Sequence, residues 1–300
     1  MKKLSYFIAA AIIFFAGAGA ADAQVSAQDL VEADKFFSQE NYPENRKALD
    51  ALMAKATTGA EKAEIFWRMS RIQLILGQDE KTDAGKQAIF GKGISYAEEA
   101  IKSDPNNAEG YMWHRANVGR ECQTHSLNVQ MKALPKMMGD LTTILDKLGK
   151  TDHSAAWQAL AEIYYNHPFK SDDAAINFTR KAAMCIPKGE IRLSTYILLA
   201  KMLYERGWSA EKRSSNISSD KAKYQKNYSS NIDKYEYFDG SLDAAYKHPW
   251  SKKGVGLVSD REEAKELAAY ITNLYNGKSV KTKTDNSDFK ELQAVMSKWK

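Results

Sequence analysis

Few residues of this 300-residue sequence have the types and spacing that catalysis or metal binding requires. Cys122 and His125 are three residues apart on a predicted helix, so they could form half of a zinc site. Structural zinc takes four ligands, and no second Cys or His pair lies near this one in the sequence. His167 and His248 each precede a proline, and we expect them to lie in turns rather than to act as catalytic bases. The sequence therefore predicts no metal site and no cofactor.

The motifs of the common enzyme classes are also missing. The sequence has no glycine-rich phosphate loop after a predicted strand and no Gly-x-Ser-x-Gly elbow for a nucleophilic serine. Its formal net charge is +5, which is too weak and too dispersed to indicate nucleic acid. We therefore expect a binding protein that is not an enzyme and that has no nucleic-acid partner.

The chemistry that remains is that of a binding surface. Helical periodicity predicts a set of side chains that point away from their partner helices, towards a concave groove. They are Trp67, Arg71, Met112, Arg120, Gln158, Glu162, Tyr165, Lys201, Tyr204 and Glu205. Aromatic rings interleaved with charges suit a peptide or a small amphipathic ligand, because stacking and a few directed hydrogen bonds set its orientation. The alternative for each residue is a solvated wall without a ligand.

The clearest of the helix joints that must position these side chains is at residues 93–120. The first helix of the joint carries a stripe of small residues, Gly93, Ala97 and Ala100. Such a stripe lets a neighbouring helix approach closely. Pro105 stops the first helix, since proline cannot continue it and disfavours the αR region for the residue before it. Asn107 is then placed to cap the second helix.

Three further segments of the chain carry predictions of their own. We expect a helix to begin at Pro135 and run to Leu148, because proline suits the first turn. We expect its methionines to be core filler, with a flexible binding surface as the alternative. Residues 208–257 are rich in Lys, Ser and Tyr and are predicted to be an insertion before the last repeat helix. A polar linker over 277–288 leads to a short helix that should cap the open end of the array.

Residues 1–23 have the parts of a secretory signal peptide. Two lysines come first, an apolar run follows over about 6–15, and residues 21–23 read Ala-Asp-Ala. The alternative is an uncleaved anchor, but the run is shorter than the roughly 20 apolar residues that cross a bilayer. We expect cleavage after Ala23, so that the mature protein is periplasmic or secreted and has no transmembrane helix.

The joint at 93–120 resembles the tetratricopeptide repeat (TPR), whose second helix ends in Asp-Pro before the next helix begins. Residues 63–68 (Ala-Glu-Ile-Phe-Trp-Arg), 96–101 (Tyr-Ala-Glu-Glu-Ala-Ile) and 104–106 (Asp-Pro-Asn) resemble the regulator of microtubule dynamics family of TPR proteins. The layout is also similar to bacterial periplasmic TPR proteins that partner TRAP-transporter binding proteins. These resemblances imply stacked helix pairs, no catalytic residues, and binding through the groove lined by the first helices.

We therefore predict an all-α, TPR-like superhelical array of antiparallel helix pairs over residues 24–276, followed by the linker and capping helix over 277–300. The predicted function is that of an exported scaffold, which binds a partner protein or peptide in its concave groove within an envelope transport or assembly complex. The alternative is a periplasmic protein that binds a small ligand or a glycan with the groove or with the Tyr- and Trp-rich insertion.

Cys122 and Cys185 are the only two cysteines of the chain. Export would permit a disulfide. In the predicted layout, however, the two residues lie at opposite edges of an antiparallel stack, whereas a bridge needs Cα atoms about 4.4–6.8 Å apart. We expect two free thiols.

Overall fold

A computed structural model describes residues 25–166, 171–238, 240, 248–251, 253–254 and 257–299. Over these residues the protein is all-α, with helices packed in adjacent pairs and no β-strand, so the predicted fold class is confirmed. The chain divides into two compact units, Met1–Leu148 and Gly149–Lys300. The predicted signal peptide and His167 lie outside the described residues. No helix in the described part is long and apolar enough to span a membrane.

The described residues of the first unit, 25–148, form six α-helices. They are α1 (Ala27–Ser38), α2 (Tyr42–Met53), α3 (Gly59–Asp79), α4 (Asp83–Ser103), α5 (Ala108–Cys122) and α6 (Leu127–Thr142), and a π-helical turn, Thr143–Lys147, follows α6. Each helix packs against the next one, and α3 also packs against α5. The unit is therefore built from the hairpins α1–α2, α3–α4 and α5–α6, and the first helices of the last two hairpins are in contact.

The second unit contains two hairpins and the predicted insertion. Its helices are α7 (Ser154–Asn166), α8 (Asp172–Met184), α9 (Leu193–Arg206), α10 (Ala210–Tyr224), α11 (Asn231–Tyr235), α12 (Asp260–Gly277) and α13 (Lys283–Met296). Helices α7 and α8 form one hairpin, and α9 pairs with α12 across the insertion. The insertion is partly helical, because it contains α10 and α11, and α11 packs against α8.

Two predicted helix starts are wrong. Helix α6 begins at Leu127 rather than at Pro135, which lies in the interior of the helix. The last helix begins at Lys283, because Thr282 caps it, so the predicted linker is shorter. The methionines of α6 are also not all core filler, since Met137 is buried but Met131 is exposed.

The joint between α4 and α5 is confirmed, and it depends on the missing side chain of Gly93. Asn107 caps α5 by accepting a hydrogen bond from the Gly110 N–H at 2.9 Å. A Cβ atom on Gly93 would lie 2.3 Å from Asn117 Oδ1 of α5. Asn117 Nδ2 donates to Ser70 Oγ of α3 at 3.0 Å, and Ser70 Oγ donates to the Gly93 carbonyl at 2.8 Å. A buried polar network thus joins α3, α4 and α5.

We predict that Gly93→Ala lowers the free energy of unfolding by about 2 kcal/mol, because its new methyl group overpacks the Asn117 side chain. Gly91→Ala is the matched control on the same helix, since no atom lies within 4 Å of a Cβ built there. We expect this control to be neutral or to stabilise by up to about 1 kcal/mol through helix propensity. Urea unfolding followed by circular dichroism measures both variants. Equal effects at the two positions would show that α5 does not approach α4 this closely.

Glu61 joins the start of α3 to the chain before it. Its carboxylate accepts hydrogen bonds from the N–H groups of Thr58 (2.8 Å), Val25 (2.9 Å) and Thr57 (2.8 Å). These hydrogen bonds, led by that from Thr58, lower the pKa of Glu61 from 4.5 to about 2. A carboxyl whose pKa is lower in the folded state stabilises the fold above its unfolded pKa, and this contribution is lost as the pH falls through its folded pKa.

We predict that Glu61→Gln lowers the free energy of unfolding by about 2 kcal/mol at pH 7, because an amide NH₂ group would face backbone donors. The difference from the wild type should shrink as the pH falls from 4.5 towards 2. Denaturant unfolding across this pH range is the measurement. Glu99→Gln is the control, because this exposed carboxylate pairs with Lys102 at 3.4 Å and should contribute at most about 0.5 kcal/mol. A difference independent of pH would contradict the capping role of the Glu61 charge.

A buried ion-pair network joins the insertion to the other helices of the second unit. Glu263 of α12 is fully buried and accepts two hydrogen bonds from Arg180 of α8, at 2.6 and 2.7 Å. Arg213 of α10 donates to the same carboxylate at 2.6 Å, and Trp250 Nε1 donates to it at 3.0 Å. Burial alone would raise the pKa of Glu263, but the Arg180 and Arg213 guanidiniums hold it well below its usual range. The insertion is therefore anchored by charge as well as by packing.

Candidate functional site

The histidines and cysteines considered above have side chains that suit metal binding or acid–base catalysis, and both His125 and His248 contact other residues of the protein. His125 lies beyond the end of α5, so it does not share a helix with Cys122 as predicted, and its Nε2 lies 2.6 Å from Oε1 of Glu121. In the part of the chain that the structure describes, no three His, Cys, Asp or Glu side chains are placed to hold a metal ion. His248 directly precedes the turn at residues 249–250, and its carbonyl accepts from the Ser251 N–H at 3.1 Å. Burial together with the nearby Arg180 charge lowers the pKa of His248 from 6.5 to about 4. Cys122 and Cys185 are free thiols.

The best-organised surface of the first unit lies on the first helices of its three hairpins. We call it the tryptophan face, and it consists of Asp34 and Phe37 of α1, Glu64, Trp67, Arg68 and Arg71 of α3, and Glu109 and Trp113 of α5. On α3, Trp67 and Arg68 follow Glu64 by three and four residues and precede Arg71 by four and three, and on α5 Glu109 precedes Trp113 by four residues. This spacing puts the members of each set on one side of their helix.

Two parallel indoles form the centre of the tryptophan face. The rings of Trp67 and Trp113 lie 6.4 Å apart between centroids, with 6° between their planes. The Arg68 guanidinium carbon lies 4.1 Å from the centroid of the Trp67 ring, and that of Arg71 lies 5.1 Å from it. Trp67 is only 8% exposed, whereas Trp113 is partly exposed. Trp67 therefore supports the surface, and Trp113 is the ring that solvent reaches.

Carboxylates fix both indoles and the residues around them. Trp67 Nε1 donates to Glu64 at 3.0 Å, and Trp113 Nε1 donates to Glu109 at 2.9 Å. Glu64 also accepts from Asn107 Nδ2 at 2.7 Å, which ties it to the cap of α5. The orientation of each ring is thus set before any ligand arrives.

Asp34 brings α1 into the same surface. Its carboxylate accepts from Arg68 Nε at 3.0 Å and from Arg71 Nη2 at 2.5 Å. The Arg71 guanidinium carbon lies 3.6 Å from the centroid of the Phe37 ring, and Arg71 Nε is buried without a hydrogen-bond partner. One carboxylate therefore holds both arginines beneath the aromatic rings.

The structure brings two of the four candidate residues of the first unit into the tryptophan face, Trp67 and Arg71. Arg120 is exposed two turns beyond Trp113 on α5 and donates to Gln123 at 3.3 Å. Met112 is partly exposed on α5, outside the contacts described above. The other six residues of the face were not among the candidates: Asp34, Phe37, Glu64, Arg68, Glu109 and Trp113. The i,i+3 and i,i+4 spacing of Glu before Trp was a usable signal for the indole–carboxylate pairs.

Five of the six candidate residues of the second unit form a polar patch on α7 and α9, the first helices of its two hairpins. Gln158 donates to Glu162 at 3.1 Å and accepts from Thr195 of α9 at 2.5 Å. The remaining contacts are between Tyr165, Lys201 and Glu205. The Tyr165 hydroxyl donates to Glu205, and Lys201 Nζ lies 5.0 Å from the centroid of the Tyr165 ring. Burial and the Glu205 hydrogen bond raise the pKa of Tyr165, so its hydroxyl stays a donor at neutral pH.

Tyr204, the sixth candidate residue of the second unit, is not an exposed part of this patch. It is only 9% exposed, because the Trp299 ring stacks on it with 4.6 Å between centroids and 7° between planes. The Arg261 guanidinium carbon lies 5.1 Å from the centre of the same ring. The C-terminal segment therefore covers this candidate residue.

The aromatic residues of the insertion are mostly part of the packing. Phe238 and Trp250 are buried, and the Tyr235 ring lies 5.0 Å from the buried Trp157 of α7. Tyr228 and Tyr237 are partly exposed and stack on each other with 6.3 Å between centroids. Among the described residues of the insertion, this tyrosine pair presents the partly exposed aromatic rings that are expected of a sugar-binding surface.

A comparison with protein families gives a match over the helices of the first unit. The family model described as Regulator of microtubule dynamics protein 1-3 matches residues 29–139, a little more than a third of the chain. No curated protein matches the chain. The matched range begins in α1, ends in α6 and contains every residue of the tryptophan face. The first unit is thus similar in sequence to that family over the helices that build this surface.

Proposed function

We propose that this protein is an exported TPR scaffold that binds a partner protein or peptide of the cell envelope through the tryptophan face. The proposal rests mainly on one observation, the parallel stack of Trp67 and Trp113 with the latter ring partly exposed. Tryptophan and arginine are enriched among the residues that contribute most to protein–protein binding. Rings that are already oriented by carboxylates lose little conformational entropy when a partner binds.

We infer the TPR type of the helix pairs from the joint between α4 and α5. Helix α4 ends at Ser103 directly before Asp104-Pro105, and small residues on α4 admit α5 at close range. The similarity of residues 29–139 to the Regulator of microtubule dynamics protein 1-3 family supports the same type. The predicted signal peptide suggests an envelope transport or assembly complex, like those of the periplasmic TPR proteins that partner TRAP-transporter binding proteins.

A pull-down tests the binding proposal. Residues 24–300 are used as bait in the envelope fraction of the source cells, and mass spectrometry identifies captured proteins and small molecules. We predict that the wild type captures a protein partner and that Trp113→Ala reduces capture about ten-fold or more, because it removes the accessible ring. Tyr228→Ala is the matched aromatic control and should leave capture unchanged. Circular dichroism of each variant confirms that it is folded.

The alternative function is the binding of a small ligand or glycan, and the partly exposed Tyr228–Tyr237 pair is the observation that favours it. The same experiment separates the two functions. Capture of a glycan or small molecule that Tyr228→Ala abolishes and Trp113→Ala leaves unchanged would assign binding to the insertion. That result would overturn the scaffold proposal.

Export has its own prediction. The protein isolated from cells should begin at Gln24, since the Ala-x-Ala site ends at Ala23. N-terminal sequencing of the protein from the envelope fraction is the measurement. Ala23→Arg should block cleavage and leave a chain heavier by residues 1–23. An intact N-terminus on wild-type protein in the cytoplasm would contradict export.

A further inference from the structure

The arginine side chains and the carboxylate side chains of the tryptophan face differ in their exposure to solvent. The arginine side chains are mostly covered, with Arg68 10% and Arg71 15% exposed. The carboxylates that pair with them are more open, with Asp34 31% and Glu64 37% exposed. A partner that approaches this surface therefore meets carboxylate oxygens before it meets guanidinium groups.

The net charge of the tryptophan face is negative, as is the charge of its more exposed side chains. Asp34, Glu64 and Glu109 contribute three negative charges, and Arg68 and Arg71 contribute two positive charges. Both guanidiniums already form ion pairs with Asp34, at 2.9 Å for Arg68 and 2.5 Å for Arg71. An acidic partner would have to displace these contacts with Asp34 to reach the guanidiniums, whereas a basic partner meets the more exposed carboxylates directly.

The partly exposed indole adds a second preference of the same kind. An aromatic ring attracts a cation above its face, and the attraction is strongest for tryptophan. The protein already uses this contact for Trp67, which has Arg68 and Arg71 against its ring. Trp113 combines a partly exposed ring with the carboxylate of Glu109, whose side chain is also partly exposed.

From these observations, and resting on the proposed function, we propose that the partner segment is basic and seats a lysine or arginine side chain on Trp113 beside Glu109. The ring supplies the cation–π contact, and the carboxylates of the face supply the attraction that orients the cation. Binding of this kind weakens with salt, because the carboxylates are accessible to solvent.

An array of fifteen-residue synthetic peptides with net charges from −4 to +4, probed with residues 24–300, tests this inference. We expect the wild type to retain peptides that contain lysine or arginine, and to retain fewer of them in 200 mM salt than in 50 mM salt. Glu109→Gln should weaken retention about five-fold, since it removes one charge and keeps an acceptor for the indole. Trp113→Ala should weaken it about ten-fold.

Glu99→Gln is the matched control, because it removes the same charge from an exposed position on α4, outside the tryptophan face. It should leave the set of retained peptides unchanged. Retention of neutral or acidic peptides that still requires Trp113 would overturn this inference and leave the proposed function standing. Retention of no peptide by the folded wild type would overturn both. Equal losses with Glu99→Gln and Glu109→Gln would show a non-specific charge effect and would also overturn the inference.

Discussion

The first unit depends on the absence of one side chain, at Gly93. Without a Cβ atom there, Asn117 of α5 reaches α4 and donates to Ser70 of α3, so the three helices share one buried network. The position of α5 against α3 in turn sets the distance between Trp113 and Trp67. A packing constraint in the interior thus determines the geometry of a surface that lies three to four residues nearer the start of α3 and of α5.

The second unit meets a different constraint, because its second hairpin is interrupted. Helices α9 and α12 must pair although more than fifty residues separate them, and the buried carboxylates of α12 serve this purpose. Glu263 holds Arg180 and Arg213, and Asp260 holds Arg206 of α9 at 2.8 and 2.9 Å. Breaking one partner of such a network is costly, since it leaves an uncompensated buried charge. The network therefore fixes the position of α10, which is part of the insertion, against α8 and α12.

The hairpin plan could be predicted from the sequence because its signals are local. A 3.6-residue period, the Asp104-Pro105 stop and the Asn107 cap need no knowledge of distant residues. The predicted start at Pro135 and the predicted linker up to residue 288 were wrong, because a proline and a run of polar residues were weighted above the periodic pattern, and the helices begin at Leu127 and Lys283. Both signals favour a helix start or a loop only weakly, and packing against neighbouring helices decides the outcome.

The candidate surfaces could be predicted only in part, for a related reason. Helix phase predicted that Trp67 and Tyr204 point away from their partner helices, but their burial is decided by the residues that lie opposite them. Trp113 is 46 positions after Trp67, and Trp299 covers Tyr204 from the C-terminal segment. No periodicity within α3 or α9 contains that information.

The sharing of Asp34 between α1 and the two arginines has a thermodynamic consequence. Helix α1 is attached to α3 partly through these ion pairs, so local opening of α1 dismantles one edge of the tryptophan face. Any ligand that recognises the complete face binds only while α1 is docked. Its binding therefore stabilises the docked state of α1, and a change that undocks α1 weakens binding in proportion to the docked population that is lost. A ligand bound to the face would therefore slow the hydrogen exchange of the α1 amides. The effect would be seen in α1, although the ring that contacts the ligand, Trp113, is on α5.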